Sequence, residues 1–361
     1  MQASPVRPGI VGEPGSPVVQ TPQAVSRFVR WASSAAGLTI LATLVVAVVS
    51  YLVAGPFTVI NAVVTGGMWA LLSAGLALVF GVMNIPNFAH GEFFMIGTLV
   101  AYFVFTPLQV QLKVAPNPVL AAVAPFAGIL AALVVGGLVG VAMEKLVFLQ
   151  LRKRSRQQWV MNAFLLTVGL SVIMINGVQL IWGTDFKGIS RYWDVEPLRL
   201  LGVKISADRI AALGLALVTI ALFWYFLMRT RTGRAIRAVS QDEIGAQMAG
   251  IDLNYIQALT LALSGAMAAM AGASLLFMFP SFPTVGLKPL YVAWYVVILV
   301  GLGNVAGAIV GGFIVALLQT LTSYFIGVGW EDVVPTALII LLLLFRPSGL
   351  FGSEVKGIWE Q

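Results

Sequence analysis

Long stretches without a single formal charge dominate this sequence, and they leave it few ways to fold. No Lys, Arg, Asp or Glu occurs between Arg30 and Glu92, between Lys113 and Glu144, or between Arg156 and Asp185. The same holds between Arg209 and Arg229, between Asp252 and Lys288, and between Lys288 and Glu331. A helix of roughly 20 apolar residues crosses a bilayer, so each stretch holds one span or two. A closed barrel is the other structure that satisfies its own backbone in lipid, and it requires apolar and polar positions to alternate. Residues Leu41–Val49 read Leu-Ala-Thr-Leu-Val-Val-Ala-Val-Val and do not alternate. The spans are therefore helices, in an all-α polytopic membrane protein. Charged residues make up 10% of the chain, where an ordinary soluble domain carries about 25%.

Ten segments read as spans: 38–55, 59–82, 92–107, 118–143, 159–183, 210–228, 256–279, 288–303, 306–326 and 333–346. The short ones at 92–107, 288–303 and 333–346 can re-enter instead of crossing, which gives 8–10 transmembrane helices. Segment 38–55 follows Arg27 and Arg30, but it exceeds the about 7–15 residues of a signal-peptide core and a long region precedes it. Residues 1–36 are rich in Pro, Gly, Ser and Val and read as a disordered tail; 37–352 form the transmembrane domain and 353–361 a second tail. With both termini in the cytoplasm, fourteen of the twenty-one basic residues fall on that side, as the positive-inside rule demands. The net charge of +7 is thus a topology signal and not a nucleic-acid patch. The chain has no cysteine and one histidine, His90, so it offers no disulfide, no metal site and no cofactor motif.

Two segments carry concentrated polarity. Asn84-Ile-Pro-Asn-Phe-Ala-His-Gly-Glu92 joins two spans, and Pro86 and Gly91 break helix there. Either it is a short cytoplasmic turn with Glu92 capping the next helix, or it dips inward, where Asn84, Asn87, His90 and Glu92 must pair internally or line a translocation pathway. Asn176 and Gln179, three apart on one face of a span, are either a packing contact or a second lumen-facing pair. The loop 229–254 contains Gly233, Arg234, Arg237, Asp242, Glu243 and Gly250. Ile236, Val239, Ile244 and Met248 recur at helical spacing, so it reads as two short amphipathic helices with a polar junction and Gly250 as C-cap. Small residues flanked by both charge signs suit docking to another protein, against the alternative of a passive linker.

Absences also discriminate. No Gly is followed by Lys, so no phosphate-binding P-loop exists; no H-E-x-x-H or G-x-S-x-G context appears, and the chain is not an enzyme. Ion-coupled carriers place ionisable groups within their spans. The spans here offer only residues such as Asn61, Asn162, Gln319 and some hydroxyls, so the energy for any pumping comes from elsewhere. Gly303, Gly307 and Gly311, and Gly136 with Gly140, fit close helix packing in lipid.

From about residue 58 to 352 the chain resembles the permease subunits of bacterial ABC importers for branched-chain amino acids. The resemblance rests on Gly75–Gly97, with its Asn-Phe-Ala-His-Gly-Glu core, and on Thr232–Ala238 through Gly250–Asp252. Gly301–Gly312 and the ending Arg346-Pro-Ser-Gly-Leu-Phe-Gly352 also carry it. It implies an inner-membrane protein whose 229–254 loop engages an ATPase. The implied assembly has a second related permease, two ATP-binding subunits and an extracytoplasmic substrate-binding protein, all within membrane lipid. The implied cargo is a branched-chain amino acid. Alternatives are urea or a short amide, which relatives of the family also move, and a self-sufficient channel for a small neutral solute. Residues 1–36 and the pair Trp294-Tyr295 depart from the family pattern.

Overall fold

A computed structural model describes residues 35–154, 159–200 and 202–351. The expected tails at 1–36 and 353–361 lie, but for two residues of the first, outside the described residues. Helices run α1 (Ala35–Ala54), α2 (Pro56–Met83), α3 (His90–Val114) and α4 (Pro118–Met143). A π turn over Glu144–Phe148 continues α4 into α5 (Leu149–Arg154), followed by α6 (Trp159–Trp182). Then come α7 (Ala207–Arg229), α8 (Arg231–Gln241), α9 (Glu243–Met248), α10 (Leu253–Ser274), α11 (Leu287–Val300), α12 (Val305–Phe325) and α13 (Val333–Phe345). The chain is a polytopic helical membrane protein. Among the described residues, eight helical segments are long and apolar enough to cross a bilayer. A hairpin of β1 (Leu198–Leu200) and β2 (Val203–Ile205), pairing Leu198 with Ile205, is a small departure from all-helix.

Helix α2 is the hub: it is buried along most of its length and packs on α12, α10, α11 and α7. Without a hydrophobic drive between helices in lipid, close backbone approach supplies the packing. Gly66 and Gly312 let α2 and α12 meet, with a Cβ on Gly66 only 3.0 Å from the Phe313 Cα. Gly136 and Gly140 face α10 as their spacing suggested, where a Cβ on Gly140 would lie 2.7 Å from the Leu261 carbonyl carbon. The Gly303–Gly311 series is only partly a packing stripe. Gly303 has φ +78 and belongs to the turn before α12, so it permits the turn and touches Gly81 from there.

Two expected spans end early. Segment 256–279 stops being helical at Ser274, and turns follow until Leu287. Helix α11 stops at Val300 and has 14 residues, about 20 Å at 1.5 Å per residue, so it does not alone span about 30 Å of hydrocarbon. Helix α13 instead continues a 3-10 turn at Val328–Trp330 into an 18-residue apolar segment. By contrast α3 reaches Val114, well past the expected 107, and accommodates Pro107. Large apolar side chains on α1, α6 and α13, such as Leu52, Leu180 and Leu344, point away from the bundle.

Candidate functional site

The 84–92 segment turns back into the bundle and is not a surface turn. Asn84 ends α2 with a left-handed backbone (φ 53) and is exposed, whereas Asn87, His90 and Glu92 are fully buried. Depth follows from the partners. Thr167 and Ser171 are the ninth and thirteenth residues of α6, about 12 and 18 Å from its start. The Phe88 amide donates to Thr167 Oγ1 (3.1 Å), and Ser171 Oγ donates to Glu92 Oε1 (2.8 Å). Helix α3 therefore begins near the middle of the bundle. Irregular backbone at that depth survives only if its polar groups are satisfied; the Ala89 amide donates to Asn87 Oδ1 (3.0 Å), and Thr167 Oγ1 lies 3.2 Å from the Pro86 carbonyl.

His90 pins this segment to two other helices. Its Nε2 lies 3.0 Å from the Leu72 carbonyl of α2, and its Nδ1 3.3 Å from Ser264 Oγ of α10. A carbonyl only accepts, so the proton sits on Nε2 and Nδ1 accepts from the Ser264 hydroxyl. Both ring nitrogens are thus engaged in packing. His90→Ala is expected to cost about 3 kcal/mol, from the lost hydrogen bonds and the cavity left behind. A thermal melt in detergent checks this, and an unchanged midpoint would refute the pinning role.

Asn176 and Gln179 do not join this cluster. Both lie on the exposed face of α6, and Asn176 Nδ2 donates to the Val172 carbonyl of its own helix (2.7 Å).

A cavity of about 310 Å3 opens at the end of the bundle where α2 starts. Phe57, Asn61, Thr65 and Trp69 line it from one face of α2, at the i, i+4 spacing of neighbours on a helix. From Phe57 to Trp69 is about 18 Å along the axis, so the vestibule reaches mid-bundle. Trp69 is buried and forms the floor, its Nε1 donating to Gln319 Oε1 of α12 (3.0 Å). Gln319 Nε2 in turn donates to Asp332 Oδ1 (2.7 Å) just ahead of α13. Lys288, in the first turn of α11, pairs with Glu331 and lies 3.7 Å from Asp332 Oδ2. Lys288 stands in the first turn of α11, and Glu331 and Asp332 directly precede α13, so the three charges meet where these two helices begin. Sequence reading missed them because Lys288 and Glu331 are 43 positions apart. The available signal was Lys288 itself, the lone charge between two long neutral runs.

Beside the vestibule, the connection between α6 and α7 folds over the bundle. Tyr192 is buried there; its OH donates to the Ala273 carbonyl and its amide to Asp208 Oδ1 (2.7 Å). Burial, reinforced by the Asp208 charge, pushes the phenol well above the ordinary tyrosine range. Lys187 and Ser281 exchange backbone hydrogen bonds, fastening this cap to the turns after α10.

At the opposite end, residues 229–254 form the two helices and polar junction expected. Thr230 caps α8 by accepting from the Gly233 amide, and Asp242 caps α9 by accepting from the Gly245 amide, both at 2.9 Å. Gly250 follows α9 with φ +85. Gly233 lies against α7, where a Cβ would be 2.7 Å from the Leu227 Cα. The expected stripe of four apolar residues divides. Ile236 and Val239 enter the core, but Ile244 and Met248 are 72% and 86% exposed, because α9 turns away from the bundle. Arg234, Asp242 and Glu243 are exposed; Arg237 is half-buried and lines a cleft of about 230 Å3 with Gly81, Trp224 and Asn304.

Known proteins resemble this chain in sequence. Residues 58–343 match the family model described as the branched-chain amino acid transport system / permease component. The high-affinity branched-chain amino acid transport system permease protein LivH of Salmonella typhimurium is 29% identical, covering 82% of this chain and 96% of that protein. BraD of Pseudomonas aeruginosa, a permease protein of the same description, is 30% identical over 83% and 96%. A probable branched-chain amino acid transport permease protein of Methanocaldococcus jannaschii is 26% identical over 82% and 92%. No solved structure matches the chain. The matched region begins two residues into α2, at the rim of the vestibule, and ends within α13, so it covers nearly all of the helices that build the site. The chain belongs to the family of permease components of branched-chain amino acid transport systems.

Proposed function

We propose that this chain is the membrane subunit of an ATP-driven importer that moves branched-chain, hydrophobic amino acids into the cell. The observation that carries this reading is the match along 96% of the length of permeases so described. The chain has no P-loop, and the carboxylate buried at the start of α3, Glu92, accepts from Ser171, so we assign the motor to a partner. We assign the complex a second related permease, two ATP-binding subunits and an extracytoplasmic binding protein. In this orientation both termini and residues 229–254 face the cytoplasm, and the vestibule opens outside.

Ile244 and Met248 on α9 are then the contact with the ATPase. Large apolar side chains exposed on a capped, charge-flanked helix have the chemistry of docking anchors. Ile244→Asp with Met248→Asp should lower ATP-driven leucine uptake in proteoliposomes at least tenfold, while the isolated permease keeps its yield. Arg237, Asp242 and Glu243 belong to the same surface. Uptake at the normal rate, or conduction by the permease alone without ATPase subunits, would overturn this arrangement. The break at 84–92 borders the pathway in this scheme. Because Asn87 is buried, a cysteine placed there should react with a polar thiol reagent in one transport state only.

A further inference from the structure

The vestibule suggests where the cargo is read, an inference that rests on the amino-acid transport proposed above. We infer that Lys288 and Glu331 form an exchangeable ion pair that binds the zwitterionic headgroup of a neutral amino acid. Three observations carry it. First, the pair stands inside a cavity of about 310 Å3, at the lower end of the about 300–1,000 Å3 typical of small-molecule sites. Second, Asp332 accepts from Gln319, which accepts in turn from Trp69, so a hydrogen-bonded floor fixes this second acid beneath the pair, 3.7 Å from Lys288. Third, the walls facing these charges include Phe57, Met278 and Phe279. They offer an apolar side chain a surface beside the charged groups.

The chemistry is an exchange. An arriving zwitterion gives its carboxylate to Lys288 and its ammonium to Glu331, so one ion pair opens and two form. No charge is left unpaired, which would be costly in a partly desolvated cavity. A ligand that carries only an ammonium leaves Lys288 with the longer Asp332 contact alone, one that carries only a carboxylate strands Glu331, and an uncharged amide engages neither fully. Because the empty site is already paired, net binding is weak, as a pathway that must also release its cargo requires. The pair thus selects headgroup charge, and the walls select side chain.

The test uses the full complex, with import of L-leucine by the unaltered complex measured first. Competition against radiolabelled L-leucine is then measured on the complex without its binding protein. The two probes are 3-methylbutylamine, which lacks the carboxylate, and 4-methylpentanoate, which lacks the ammonium. Lys288→Met should weaken leucine binding at least tenfold and erase its advantage over 3-methylbutylamine, but not its advantage over 4-methylpentanoate. Glu331→Gln should do the converse. The exchanged pair Lys288→Glu with Glu331→Lys, made together with Asp332→Asn so that the new carboxylate faces no like charge, should recover leucine binding to within about threefold. Merely structural damage would instead weaken all three ligands alike and would overturn the inference. So would unchanged leucine affinity in both variants. If Lys288→Met fails to assemble, the isosteric Glu331→Gln decides. Leucine import with unaltered discrimination sinks this site and leaves the transport function standing, whereas a complex that imports no amino acid removes both.

Discussion

Replacing Gly97 with valine is expected to abolish folded protein. Helices α3 and α10 cross where Gly97 faces Ala269 and Gly272 faces Phe94. A Cβ on Gly97 would overlap the Ala269 carbonyl oxygen and lie 2.6 Å from its Cα. These are backbone atoms, so no rotamer change relieves the clash and the helices must separate. Ordinary overpacking costs about 1–3 kcal/mol, and a backbone clash at a buried crossing exceeds that. Set against a net stability of about 5–15 kcal/mol, this is enough to remove the native state. The crossing also positions the start of α3, and with it His90 and Glu92. Size-exclusion chromatography in detergent should show no monodisperse permease. Gly177→Val is the matched control: nothing lies within 4 Å of its Cβ position, so full yield is expected. Equal yields for the two variants would show that the crossing is not tight.

The second large effect is at the far end of α4. Glu144 is 1% exposed and sits in the π turn, where it pairs with Arg152. The guanidinium also lies 5.3 Å from the Trp159 ring centroid, tying α5 to the start of α6. Arg152→Met strands a buried carboxylate and should cost about 3–5 kcal/mol. Removing both partners together is predicted to be milder, because apolar replacements leave no uncompensated charge. Glu144→Leu with Arg152→Met should therefore recover most of the lost melting temperature. A double variant no better than the single would mean that Arg152 acts through Trp159 and not through Glu144.

How much of this was legible beforehand depends on how local each cause is. The neutral runs announced the spans, since crossing lipid is a requirement each segment meets with its own residues. The α8–α9 pair was equally readable, because Thr230, Asp242 and Gly250 act within a few residues of themselves. The 84–92 segment was half legible. Pro86 marked the break, whereas Gly91 falls inside α3 and packs on Gly286, and the depth of the segment comes from Thr167 and Ser171 on another helix. Asn176 and Gln179 share a face, as their spacing required, yet that face points out of the bundle. Nothing in a single helix says which way it is rotated against its neighbours.

The vestibule was the least legible part. The charge-free stretches by themselves determined that this chain is a helical bundle in lipid, with little ionisable chemistry in its spans. The reason is that hydrocarbon demands internally satisfied backbone and apolar side chains from every crossing segment separately. Only the tertiary structure decided which helix starts come together, and so where Lys288, Glu331 and Asp332 meet over Trp69. Charges at membrane depth persist only beside partners or water, and partners distant in sequence are chosen by packing.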